Sequence, residues 1–257
     1  MPRRLGAADR RRESAEQQAI QTRLEAYTQR RFASAIREAM RSAAGAWERE
    51  GLLGVSAVIA EHREQVQARL EEAYRRGATA SGERLMSLVQ EKHGRHARIL
   101  KQLPDAWDDA LNRFIRSYTA SKVTQITATT EAQIRAIIMR GEESGLGVEE
   151  IARSIRQDYA PQFGQYRAHM IARTETHAAW GEGSQAAGEA SGLDMRKEWV
   201  ASVDGRERDD HSDADTQEVG LKEAFIVMGQ EMKYPGDPNG SAENVINCRC
   251  VSAHIVD

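Results

Sequence analysis

Arg196-Lys197-Glu198-Trp199-Val200-Ala201-Ser202-Val203 is the first stretch of the chain that does not read as helix. It alternates as a strand does, with Trp199 and Val203 on one face. Gly192 stops the helical pattern before it. A charged loop with Asp204, Asp209, Asp210, Asp213 and Asp215 follows. Tyr234-Pro235-Gly236-Asp237-Pro238-Asn239-Gly240 has turn chemistry at nearly every position, and Val245 to Val256 reads as a final strand. The expected fold is therefore α+β and mainly α-helical. An elongated N-terminal helical domain, residues 1–165, precedes a small C-terminal α+β module with a short sheet, residues 166–257.

Upstream, no proline interrupts Ala7 to Leu103, and strong helix formers dominate. Ile20, Leu24, Tyr27, Ile36, Met40 and Trp47 form one apolar stripe at helical spacing. Glu50-Gly51-Leu52-Leu53-Gly54 breaks it, since glycine suits a helix end. A second stripe runs through Val55, Ile59, His62, Val66, Leu70 and Tyr74, with Gly77 as its expected stop. Leu85, Leu88, Val89, Ile99 and Leu103 suggest a third stretch, interrupted near Gly94. Pro104 suits the first turn of the next helix, which carries Trp107, Leu111, Phe114, Ile115 and Tyr118. Thr130 with Gln133 reads as a capping box before Ile134. A short helix opens after Gly147 with Ile151 and Ile155 inward. It resembles the start of a helix-turn-helix, but Asp158 to Gly164 stands where a recognition helix is due. No heptad pattern persists, so a helical bundle or extended hairpins are expected rather than a long coiled coil.

The chain has 257 residues, 29% of them charged, and a formal net charge of -3. No apolar run approaches the roughly 18–20 residues that span a bilayer, so no membrane partner is expected. The N-terminus lacks an apolar signal segment, and synthesis in the cytoplasm is the default expectation. Arginine is concentrated between Arg3 and Arg41. Such an arm suits phosphate or an acidic protein surface, or is simply a solvated helix face.

The two cysteines stand two residues apart. On a strand, Cys248 and Cys250 would project to one side with Arg249 opposite. They would then bind one structural zinc together with His211 from the charged loop and Asp204 as the fourth ligand. The alternative is two packed thiols and a hydrogen-bonded histidine. Glu175 suits an ion pair with Arg206 or Arg208. The acidic run from Asp209 to Asp215 could hold Ca²⁺ or Mg²⁺, but it lacks the glycine and closing glutamate of an EF-hand loop. No nucleophile–base pair is visible, so no catalytic residue and no small-molecule cofactor are assigned.

The ordered blocks Ala172-Arg173-Thr174-Glu175, Lys197 with Trp199, Asp204 with Arg206, Arg208 and His211, Tyr234-Pro235-Gly236-Asp237-Pro238, and Asn247-Cys248-Arg249-Cys250 resemble the phage Mu F-like head-morphogenesis family. The resemblance covers roughly the last 90–110 residues. It implies a minor head protein of a tailed bacteriophage, located in the virion and made in the host cytoplasm. Such a protein acts in head morphogenesis and DNA packaging or delivery at the portal vertex. The partners implied are the portal protein, packaged DNA and major capsid or scaffold protein. A metal-dependent hydrolase or nuclease carried in the phage head, built on His211 and nearby acids, is the alternative.

Overall fold

The computed structural model describes residues 6–93, 103–202 and 204–256. Arg3, Arg4, Gly94, Ile99 and Val203, used in the sequence reading, lie outside these residues. Helix α1, Ala7–His93, is broken at Gly51, whose φ of 62° and ψ of -150° no helix admits. Glu13 meets Arg84 and Tyr27 meets Glu72, the pairing of an antiparallel hairpin. Leu103–Glu143 forms α2, with Pro104 in its first turn. Val148–Ser154 is α3, whose Glu150 carboxylate accepts the Gly147 N–H at 2.9 Å. A single π turn, Ile155–Tyr159, leads into α4, Ala160–Ser191, and Gly192 ends α4 with a φ of 67°.

Two helical expectations change. Gly77 does not end a helix, because α1 runs through it to His93. The residue is small for packing: a Cβ there would lie 2.9 Å from the Ala179 Cβ. Thr130 is no cap either. It sits inside α2 and donates its hydroxyl to the Ile126 carbonyl at 2.8 Å, the common way a mid-helix threonine satisfies its side chain.

Strand β1 is Met195–Val200. Helix α5, Asp209–Asp213, then precedes β2, Glu218–Gly220; β3, Phe225–Val227; and β4, Gln230–Met232. Helix α6, Ala242–Val245, and β5, Val251–Val256, complete the chain. β1 is the centre of an antiparallel sheet ordered β2-β1-β5, while β3 and β4 form a separate hairpin. The β1–β5 register runs from Met195 opposite Val256 to Val200 opposite Val251. The fold is thus α+β and mainly helical. No described helix is long and apolar enough to cross a membrane.

Packing divides the chain into two units. One gathers the segments up to Glu25, Ala73–Ile115 and from Arg173 onward. Its core holds Trp199, Ala201, Ala214, Phe225, Val227, Met232, Val245, Cys248 and Cys250. The Gln17 side chain is buried here, donating to the Ser252 carbonyl and accepting from Trp180 Nε1, each at 2.8 Å. The other unit gathers Ala26–Glu72 and Arg116–Ala172. Phe32, Ile36, Met40, Ile59, Leu70, Ile134, Ile138, Ile151 and Ile155 are buried there, each aliphatic contributing about 1.5–3 kcal/mol. Each unit draws on segments from both sides of residue 165 or crosses it.

Candidate metal centre

The separated sequence blocks meet around one buried cluster. Arg208 extends before α5, and the short helix turns His211 inward to 1% exposure. The Trp199 ring packs edge-on against His211 at 5.5 Å and against Phe225 at 5.4 Å. Across from it, α6 ends at Val245 and Asn247 takes a left-handed φ of 58°. That turn delivers Cys248 and Cys250, at 2% and 1% exposure, to the same cluster. The cysteines stand just before β5 rather than within a strand. Their alternation still holds: Arg249 points away, pairing with Asp204 at 2.8 Å.

His211 Nδ1 lies 3.4 Å from Cys250 Sγ and 3.7 Å from Cys248 Sγ. The three donor atoms all fall within 4.8 Å of one another. Zinc–sulfur bonds of about 2.3 Å and a zinc–nitrogen bond of about 2.0–2.1 Å, set at a tetrahedral angle, require a nitrogen–sulfur separation of about 3.6 Å. The two observed distances bracket that value. Thiol hydrogen bonds to Nδ1 account for both distances, and a single ion would fit both as well. His211 Nε2 is buried without a hydrogen-bond partner, so Nδ1 is the nitrogen that faces the sulfurs.

The thiols polarise each other. The hydrogen bond from Cys248 draws the Cys250 pKa down to about 5, with burial opposing and His211 assisting. The same bond, together with burial, pushes Cys248 well up. Two buried sulfurs beside an imidazole are a donor set suited to a soft or borderline cation.

Asp204 is not brought into this group. It is exposed and held by Arg249. Burial works to raise its pKa, but the Arg249 guanidinium and the Arg206 N–H outweigh it and lower the value. Glu175 is buried and accepts from the Tyr74 hydroxyl at 2.7 Å. Arg208, one of its expected partners, donates instead to the Ile246 carbonyl at 2.7 Å. The acidic run is occupied in part, since Asp215 takes the Ala201 N–H and the Arg10 guanidinium. Among the described residues, His211, Cys248 and Cys250 are the metal-ligand group the fold assembles.

The sequence reading passed over His177. It is 3% exposed on α4, and neither ring nitrogen makes a well-formed hydrogen bond among the described residues, although the Cys250 backbone lies near the ring. Burial lowers its pKa to about 4, the Cys250 backbone partly offsets this, and the charges of His211 and Arg173 add to it. Its position three residues after Thr174, on the same helix face, was the available signal. Lys197 is another buried group: its ammonium donates to Gln185 at 3.1 Å and to the Lys233 carbonyl at 2.6 Å. Burial lowers that pKa to about 8. In the Tyr234–Pro238 block, Tyr234 donates to Glu182 at 2.9 Å and Asp237 caps the turn through the Lys233 and Asn239 N–H groups. These blocks build the module.

Residues 132–253 match the family model described as Phage Mu protein F like protein. Over 123 residues the chain is 32% identical to "NAD(+)--arginine ADP-ribosyltransferase EFV" of Enterococcus faecalis (strain ATCC 700802 / V583), covering 47% of this chain and 25% of that protein. Over 127 residues it is 30% identical to "Minor head protein GP7" of Bacillus phage SPP1, covering 48% and 40%. "Uncharacterized protein YqbB" of Bacillus subtilis (strain 168) is 25% identical over 148 residues, covering 56% and 48%. The chain therefore spans between a quarter and a half of the length of these relatives. No solved structure matches.

Proposed function

We propose a minor head protein of a tailed bacteriophage, on the premise that residues 132–253 belong to the Phage Mu protein F like family. It acts inside the capsid at the portal vertex, in head morphogenesis and DNA packaging or delivery. The family match carries this reading, and the likeness to Minor head protein GP7 of Bacillus phage SPP1 supports it. The portal protein is the first partner, with packaged DNA and major capsid or scaffold protein beside it. Arg11, Arg23, Arg30 and Arg41 are exposed along α1. The chain's thirty arginines against six lysines favour bidentate contact with phosphate or carboxylate.

We read the chain as a structural protein and not an enzyme. His211, Cys248 and Cys250 are all at most 2% exposed, and a catalytic metal needs an open position that substrate can reach. A buried zinc held by these three residues would join the α5 loop to the segment entering β5. The stretch shared with the ADP-ribosyltransferase of Enterococcus faecalis is a quarter of that protein. We take it as a module common to both chains rather than transferase machinery.

Quantitative mass spectrometry of purified particles, with localisation by cryo-electron microscopy, tests the assignment. A few copies per head at the portal vertex are expected. Intact, fully infective particles made without the protein would overturn it.

A further inference from the structure

We propose that His177 is the fourth ligand of the centre formed by His211, Cys248 and Cys250, an inference that rests on the metal reading above. A closed structural zinc site takes four protein donors, and the fold gathers three. Asp204 is exposed and engaged by Arg249. The group that remains is a buried imidazole whose ring nitrogens make no well-formed hydrogen bond among the described residues, although the Cys250 backbone lies near enough to act on it.

His177 fits on three counts. Both of its ring nitrogens are buried without a well-formed hydrogen bond among the described residues, a costly condition for a polar group. The centre lies beside it, since the Cys250 backbone and the His211 ring act on it, as Arg173 also does. The helix that carries it is also fixed to the cysteine loop: Thr174 Oγ1 accepts the N–H of Asn247, the residue before Cys248, at 3.2 Å. Gly236 leaves the imidazole its space. A Cβ at Gly236 would stand 2.5 Å from His177 Cδ2.

His177 lies outside the 4.8 Å group of three, so ligation requires its ring to turn toward the sulfurs. The donor set becomes two thiolates and two imidazoles, a common tetrahedral zinc composition. Metal binding then makes one of these nitrogens a ligand and leaves the other to the neighbouring backbone.

X-ray absorption spectroscopy of the zinc-loaded full chain counts sulfur and imidazole ligands directly. The wild type should show two sulfurs and two imidazoles, falling to one imidazole in His177→Gln. His177→Cys should show three sulfurs and one imidazole, which keeps the test open if the glutamine variant folds poorly. One imidazole in a zinc-loaded wild type, or no sulfur gained in His177→Cys, overturns the role of His177 and leaves the three-residue centre standing. A wild type that takes up no zinc overturns both.

Discussion

The Thr174 hydroxyl oxygen accepts the backbone N–H of Asn247 at 3.2 Å, joining the first and last blocks of the module across 73 residues. Asn247 is held in a left-handed conformation, and its N–H is the last fixed point before the cysteines. Helix α4 is thus the surface on which the cysteine loop is set. The arrangement explains why a threonine inside a helix and an asparagine in a turn belong to one constellation.

Thr174→Val keeps the shape of the side chain and removes that acceptor. A part-buried N–H left unpaired costs about 1–3 kcal/mol, so urea unfolding should show a loss of that size. Thr174→Ser should retain most of the stability.

Gly236→Ala should destabilise more than Gly205→Ala. Both glycines have positive φ, 81° and 73°, and each substitution carries a backbone cost of about 1 kcal/mol. Only at Gly236 does the new methyl meet a neighbour, the His177 ring, while Gly205 has nothing within 4 Å. Overpacking adds about 1–3 kcal/mol. Equal losses in the two variants, measured by denaturant unfolding, would show that the His177–Gly236 contact is slack.

His254 predicts a loss of stability in acid. Burial lowers its pKa to about 3, and the nearby charges of Lys197 and Arg84 lower it further. In the unfolded chain it titrates near 6.5. Above about pH 6.5 neither state binds the proton. Between there and about pH 3 the unfolded state binds it and the native state does not, so the contribution is lost as pH falls. Melting temperatures from pH 7.5 down to 4.5 should fall, and His254→Gln should flatten part of that slope.

Much of this was legible in the residues, because local chemistry fixed it. The Gly51 break, the stop at Gly192 and the inward Ile151 and Ile155 follow from glycine's freedom and from helical spacing. The gathering of His211, Cys248 and Cys250 was also visible, since alternate residues face one way in any extended segment, strand or not. What escaped depends on packing partners distant in sequence. Gly77 reads as a stop until Ala179 is seen against it. Thr130 reads as a cap because a sequence does not show that the turn before it is already helical. Asp204 reads as the fourth ligand until Arg249, 45 residues away, is seen to hold it. His177 carried no local mark beyond its helical phase with Thr174.

The centre itself is tested most directly by elemental analysis of the full chain purified without chelators. The account predicts close to one zinc per chain, lost in Cys248→Ser together with a lower melting temperature, because a closed site contributes its binding free energy to folding. A folded wild-type protein that carries no zinc and takes up none when it is supplied would contradict it, leaving His211, Cys248 and Cys250 as packed core residues only.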